Sequence, residues 1–581
     1  MMQGPPPLTA DTSAGVIARM LKARGVDRVF ALCGGHIMPL WMRLDAEGIR
    51  IVDVRDERAA VYMAHAYGQL KRTLGVALVT AGPGVTNAMT GIANAHVARV
   101  PLLVLSGVPP RLQENRGALQ DMVHTDLVRG ITRYARTVRE SALVPQEIDQ
   151  AIARALGLGG DPGPVYLDFP TDVLRDTVPA ALQAPFWFQP QPAMSLATPD
   201  DVRVAVDLLW SAKRPLVITG RGVVAAREAL VALLDATQAA YLDTGESRGV
   251  VPDAHRSVVG AMRGQVMGDC DLVVTIGRRL DFQLAYGSPA VFGQAKFLRI
   301  ADSPGELRDN RPGDVELFGD IPGILAKLVH EARGRTASTD SAWIERLRAG
   351  HRKRADALRV SMRSAPDGSD GRLHPNRLLA AIADRLPSDT VVVADGGDFL
   401  AFARVGVPAS TYLDPGSLGC IGVGTPFGVA AALACPGRFV TVLTGDGAFG
   451  FNAMEIDTAV RHRAPVLIVV ANNGAWQIEV HDQAMTHGKV VGTRLQHADH
   501  AAMARAFGMH GERVETANEL EGAIERAIAV VRGGAPALLD VLVTVDAISA
   551  DGKSGLAWVP DLQPLAAWDE AERRLRAGNA A

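Results

Sequence analysis

A chain of 581 residues that is 48% hydrophobic and 21% charged has the make-up of an ordinary folded protein, and its 59 glycines and 34 prolines do not move it toward disorder or a collagen-like repeat. At about 150 residues per domain, this length implies three or four domains with separate cores. The 60 basic and 63 acidic residues leave a net charge of −3, which offers no positive field for a polyanion and argues against a nucleic-acid partner.

The chain opens on MMQGPPPLTADT, with no basic stretch leading into an apolar run, and its strongest apolar stretch, 465–471, falls far short of the roughly 20 residues that cross a bilayer. A cytoplasmic protein with no membrane contact is expected. Thr12 or Ser13 can cap a helix that puts Val16, Ile17, Met20 and Leu21 on one face and stops at Gly25. Apolar runs at 28–32, 51–54, 76–80 and 101–106 then alternate with helical patterns, which predicts a parallel sheet covered by helices in a first domain, 10–183. The proline-rich stretch APFWFQPQPAMSLATP reads as a linker. A second βα series fills 200–335, with strands at 215–219, 272–276 and 297–300. The basic segment 346–363 reads as a solvated helix leading to a third domain, 370–546, with strands at 391–394, 439–443, 466–471 and 537–543. Residues 547–581 form a tail. The predicted class is α/β, three doubly wound parallel-sheet domains plus that tail. Cys33, Cys270, Cys420 and Cys435 stand singly with no CxxC pair, so buried thiols in a reducing compartment are expected.

The segment TVLTGDGAFGFNAMEIDTAVRHRAPVLIVVANN carries the most chemistry. Its GDGAFG lies between a strand and a helix and fits the GxGxxG dinucleotide fingerprint, but Asp446 would set a carboxylate where a pyrophosphate must approach. A divalent cation removes the conflict. Asp446 and the side-chain oxygen of Asn473 can hold magnesium against a diphosphate, with glycine amides and a helix N-terminus as further donors.

On these residues the chain resembles the thiamine diphosphate (ThDP) enzymes related to acetolactate synthase, whose signature joins GDG to a later NN. The resemblance runs from about residue 10 to 545 and implies pyrimidine-binding, central and diphosphate-binding domains in that order. It implies Asp446, Asn473 and the backbone carbonyl of Ala475 as magnesium ligands, with Gly445, Gly447 and Ala448 against the diphosphate. VDVRDERAAVYMAHAYGQL resembles the segment with the activating glutamate, here Glu57, a carboxylic acid that would protonate the cofactor's aminopyrimidine and so create a base for the thiazolium proton. Gly82 and Asn87 belong to the turn that follows, where a close cofactor approach favours glycine. PGSLGCIGVGTPFG resembles the segment that grips the pyrimidine, with the Gly419 carbonyl on the exocyclic amine and Ile421 as the wedge between the rings.

Substrate choice depends on the remaining motifs. FALCGGHI and GALQD resemble benzaldehyde lyase and imply that His36 and Gln120 face the reacting carbon. NGAWQIEVH places Glu479 where simple 2-oxoacid decarboxylases carry Ile-Glu, and a buried Glu479 could exchange a proton with substrate. The turn GRG at 220–222 with Asp243 beyond it is a nucleotide-site match, compatible with ADP or a flavin in the central domain or with no ligand. IGRRLDFQLAYG resembles oxalyl-CoA decarboxylase and 2-hydroxyacyl-CoA lyase, so Arg278 and Arg279 are candidates for the phosphates of an acyl-CoA. Trp558, Leu562, Leu565 and Trp568 make the tail apolar enough to dock, and a lid over the substrate is one position for it.

The resemblance is nearest to 2-hydroxyacyl-CoA lyases, including bacterial 2-hydroxyisobutyryl-CoA lyases. It implies a ThDP- and magnesium-dependent carbon–carbon lyase that releases formyl-CoA, assembled as a homodimer or homotetramer with active sites between subunits. The alternatives are an acetolactate synthase-like or benzaldehyde lyase-like carboligase that uses no CoA, and a non-catalytic nucleotide-binding regulatory protein.

Overall fold

The computed structural model describes residues 8–183, 197–554 and 564–579. Three sheets follow one another along the chain, and every strand pair in them is parallel. The first contains β1 (Arg28–Ala31), β2 (Arg50–Asp53), β3 (Gly75–Val79), β4 (Leu102–Val108), β5 (Tyr134–Thr137) and β6 (Pro164–Pro170), in the order β2-β1-β3-β4-β6-β5. The central sheet contains β7 (Pro215–Thr219), β8 (Ala240–Leu242), β9 (Leu272–Ile276), β10 (Lys296–Ala301) and β11 (Val315–Phe318), in the order β11-β10-β9-β7-β8. The third contains β12 (Val391–Asp395), β13 (Thr411–Leu413), β14 (Val440–Gly445), β15 (Leu467–Asn472), β16 (His510–Val514) and β17 (Ala537–Leu542), in the order β13-β12-β14-β15-β17-β16.

The first and third sheets are therefore wound alike. In each, the chain leaves its first strand to one side and returns on the other, which opens a crevice at the carboxyl ends of β1 and β3 and again of β12 and β14. Such switch points are where open α/β sheets bind ligands. The interior strands β3, β4, β9, β15 and β17 are continuous buried runs, as sheets covered on both faces require. The strands absent from the sequence reading are mostly short or polar. β5, β8, β11, β13 and β16 lie at sheet edges, and β6 carries Asp168 between two prolines, so none presents an uninterrupted apolar run.

Helices cover both faces. Thr12, not Ser13, caps the helix Ser13–Ala23, its hydroxyl accepting from the Gly15 amide. The helices Glu57–Lys71 and Pro83–Ala98 lie on the opposite face of the first sheet, and their core runs on into the third domain through the helix Gly424–Ala434. That helix is apolar all round because it is buried all round. Tyr62 meets Phe427 edge-on across this junction, with ring centroids 6.1 Å apart. The basic helix is longer than its solvated part suggests: it spans Ser341–Arg363, and Trp343, Ile344 and Leu347 bury its first turns. The tail helix Leu565–Asn579 docks on the central domain, with Trp568 at 5.9 Å from Tyr286 and its carbonyl accepting from Ser288 Oγ; Trp558 and Leu562 lie outside the described residues. All four cysteines are free, but only Cys270 is buried and Cys33 is exposed. Among the described residues no helix is long and apolar enough to cross a membrane.

Candidate active site

In the third domain the carboxyl ends of β12, β14 and β15 lie side by side, with Asp395 opposite Thr444 and Gly445 opposite Ala471. The strands thus deliver Asp395, Gly445-Asp446 and Asn472-Asn473 to one edge. Asp446 starts the helix Asp446–Phe451 and is buried. Burial pushes its carboxyl up to about 6, although the amides of Asn473, Gly447 and Gly474 draw it down. A cation beside it would restore the charged form. The two asparagines divide the work. Asn472 is tied into the sheet, its amide donating to Asp540 Oδ1 at 2.9 Å and to the Ala498 carbonyl at 2.9 Å. Asn473 donates its amide to Gln477 Oε1 at 3.1 Å, which turns Oδ1 the other way, where it accepts the Ala475 amide at 3.1 Å.

A carboxylate, an amide oxygen and the carbonyl of Ala475 form an all-oxygen set of the kind magnesium takes, with positions left for phosphate oxygens and water. Among the described residues there is no group of three or more His, Cys, Asp or Glu fit for a metal, so a nitrogen- or thiolate-based centre does not compete. Gly447 has no room for a side chain: a Cβ there would stand 2.7 Å from the Trp476 ring, which closes the turn from one side. These residues fit a metal-bound diphosphate.

Asp395, which the sequence reading passed over, shapes the neighbouring loop. Its buried carboxylate accepts from the amides of Gly424 at 2.7 Å, Gly396 at 2.6 Å and Gly422 at 3.1 Å, while burial pushes it up to about 6. It anchors the loop that presents Gly419, in left-handed backbone, and the half-buried Ile421. An acid ending a buried strand just before two glycines was the available signal.

The first domain gathers its candidates at the carboxyl ends of β1 to β4. Asp56 caps the helix Glu57–Lys71 by accepting the Arg58 amide at 2.8 Å, which turns Glu57 inward on the first turn. Glu57 is buried and its Oε2 accepts Asn87 Nδ2 at 3.1 Å, so these two candidates meet. Gly82 sits at φ +60, ψ −113, a conformation essentially reserved for glycine, and a Cβ on it would stand 2.9 Å from Gln120 Cβ. Gln120 is close enough to the His36 ring to perturb it, so these candidates are neighbours, although His36 Nδ1 is buried without a hydrogen-bond partner among the described residues. Burial lowers the His36 value most, Gln120 raises it, and nearby His124 lowers it further.

Glu479 is exposed on this chain, because the helix Gln477–His487 turns Gln477 and Val480 inward and leaves position 479 outside. Two expectations need correction. Arg278 is not open to a phosphate: its side chain is 1% exposed and its guanidinium is matched by Glu246 at 3.2 Å and Asp281 at 2.8 Å. Arg279 pairs with Asp161 at 3.1 Å but stays partly open. At the GRG turn, Arg221 is held by Asp302 at 2.6 Å and Glu306 at 3.1 Å, and Glu246 crowds Gly220. A nucleotide phosphate would meet carboxylates there, which disfavours ADP.

Residues 11–128, 202–328 and 395–541 match, respectively, the N-terminal TPP binding, central and C-terminal TPP binding domains of the thiamine pyrophosphate enzymes, thiamine pyrophosphate being another name for ThDP. The chain is similar to the acetolactate synthase large subunit IlvG of Mycobacterium tuberculosis, 35% identical over 551 residues that cover 93% of this chain and 97% of the relative. It is also similar to human 2-hydroxyacyl-CoA lyase 2, at 32% over 573 residues with coverage of 91% and 89%, and to mouse 2-hydroxyacyl-CoA lyase 1, at 30% over 556 residues with coverage of 92% and 94%. With the metal-ready edge of the third sheet, the inward glutamate of the first and matches of this extent, the chain belongs to the thiamine pyrophosphate enzyme family.

Proposed function

We propose that the protein is a ThDP- and magnesium-dependent lyase that cleaves a short 2-hydroxyacyl-CoA to formyl-CoA and a ketone or aldehyde. When bound, ThDP supplies a nucleophilic carbon and an electron sink. Asp446, Asn473 and the Ala475 carbonyl hold the magnesium, and Glu57 holds the proton that faces the aminopyrimidine. His36 and Gln120 hydrogen-bond the substrate's oxygens. Glu479 takes the hydroxyl proton as the bond between the hydroxyl-bearing carbon and the thioester carbon breaks, and a proton returns to the acyl carbon. The reaction balances without water or an oxidant.

The observation that carries the CoA reading is the tail: its Trp568 packs on Tyr286, inside the segment that resembles the CoA lyases, and Arg279 on the same segment keeps a partly open guanidinium. A tail so placed can close over a pantetheine arm. Exposed Leu119 and Val123 stand one and three positions from Gln120, and exposed Leu418 and Phe451 stand beside Gly419 and on the helix that Asp446 starts. Two such apolar surfaces favour a homodimer, or a dimer of dimers, in which a second copy covers Glu479 and completes each site. Four unpaired cysteines suit a cytoplasmic enzyme.

A carboligase acting on pyruvate is the second reading, favoured by the similarity to the acetolactate synthase subunit. A regulatory protein without catalysis is disfavoured by the buried Glu57, which mere binding does not need. The test is the specificity constant for 2-hydroxyacyl-CoA esters, the free 2-hydroxy acids and pyruvate, each with ThDP and magnesium. Turnover confined to the esters supports the lyase; turnover of pyruvate alone transfers the assignment to the carboligase.

A further inference from the structure

Behind the His36–Gln120 wall lies a buried polar cluster that no step above uses. His124 opens the short helix His124–Val128, and Asp168 sits within β6; both side chains are shut off from solvent. His124 Nε2 accepts the Gly82 amide at 2.8 Å, so that nitrogen is unprotonated and the ring proton belongs on Nδ1. Nδ1 stands 3.1 Å from Asp168 Oδ2, which also accepts the Tyr166 hydroxyl at 3.0 Å. The ring is thus fixed at both ends, and its one free choice, the tautomer, is set by its partners.

What the ring holds is the turn beneath the wall. Gly82 is the residue in the glycine-only conformation, and it lies against Gln120, which is itself in left-handed backbone at φ +62. Releasing the Gly82 amide would let the turn relax and carry Gln120 away from His36. An apolar side chain would fill the space of His124 without the desolvation that a buried imidazole and carboxylate incur, so packing alone gives no reason for the pair.

We propose that His124, oriented by Asp168, is a positioning residue that aims Gln120 and His36 at the substrate by accepting the Gly82 amide. The claim rests on the assignment of that wall to substrate made above.

Three variants of the full-length enzyme separate the roles of the two ring nitrogens. His124→Gln keeps an acceptor near the Nε2 position, His124→Asn keeps only a donor near Nδ1, and His124→Phe keeps volume alone. Hydrogen exchange at the Gly82 amide is measured on cofactor-free protein, and kcat and KM are measured at saturating ThDP so that weaker cofactor binding does not imitate the effect. We expect His124→Gln to retain Gly82 protection and to hold kcat within about threefold. His124→Asn and His124→Phe should lose at least about tenfold in protection and about 10- to 100-fold in kcat, with KM nearly unchanged. A melting scan confirms folding, and if His124→Phe does not fold, the contrast between the Gln and Asn variants decides. Protection retained in His124→Asn, or lost with kcat unchanged, overturns the proposal. A wild type that turns over no substrate overturns the functional assignment as well, and so is told apart from failure of the positioning role alone.

Discussion

Glu455 should make the stability of this chain fall as the pH rises from acid to neutral. It is buried on the helix Glu455–Arg461, where Oε1 accepts the Arg55 amide of the first domain at 3.0 Å and Oε2 accepts the Thr458 hydroxyl at 2.6 Å. Burial pushes its carboxyl from 4.5 to about 7 against the pull of these two hydrogen bonds. A folded-state value above the unfolded one means that the folded chain holds the proton more tightly. The stabilisation is then complete below pH 4.5 and is lost as the pH rises through about 7. At 1.36 kcal/mol per pH unit, that span corresponds to about 3 kcal/mol. Glu455→Gln cannot ionise, its amide oxygen still accepts from Arg55, and the Thr458 hydroxyl can turn to accept from its amide group. Calorimetric and denaturant unfolding of both proteins from pH 4 to 8 should give nearly equal stabilities at the acid end, and a variant more stable by about 3 kcal/mol at pH 8. Parallel stability curves across that range would show that burial does not perturb Glu455 as described.

The candidate site yields three more expectations. Asp446→Ala should abolish magnesium-dependent ThDP binding in a calorimetric titration, because the only carboxylate of the proposed metal set is lost. Glu57→Gln should leave that binding measurable while removing most turnover, and loss of binding instead would make Glu57 a structural residue. Glu479→Gln should keep cofactor affinity and lower kcat by about 10²- to 10⁴-fold, whereas unchanged turnover would leave Glu479 a surface carboxylate.

Much of the third domain's edge was legible because its signals are contiguous. GDG and NN each end a buried strand, so the apolar runs that predict β14 and β15 also predict where Asp446 and Asn473 emerge. Glu57 was legible for the same reason, at a helix start after β2. Relations between distant residues were not. His124 and Asp168 are 44 positions apart, and neither carries a local signal that points to the other. Arg278 resembled a free phosphate ligand because Glu246, in another turn of the central domain, becomes its partner only on folding. Glu479 is a different case: a helical pattern tells which positions face this chain's own core, and says nothing of a face that a second copy would cover. β5, β11 and β16 escaped because a half-exposed strand needs no apolar run, and β8 and β13 because three residues are too few to show one.

The lyase assignment is tested most directly by the products of 2-hydroxyisobutyryl-CoA incubated with the wild-type protein, ThDP and magnesium. We expect formyl-CoA and acetone in equal amounts, because cleavage returns the hydroxyl proton to the acyl carbon and consumes nothing else. No formyl-CoA from this ester or any other 2-hydroxyacyl-CoA, with acetolactate formed from pyruvate under the same conditions, would contradict it.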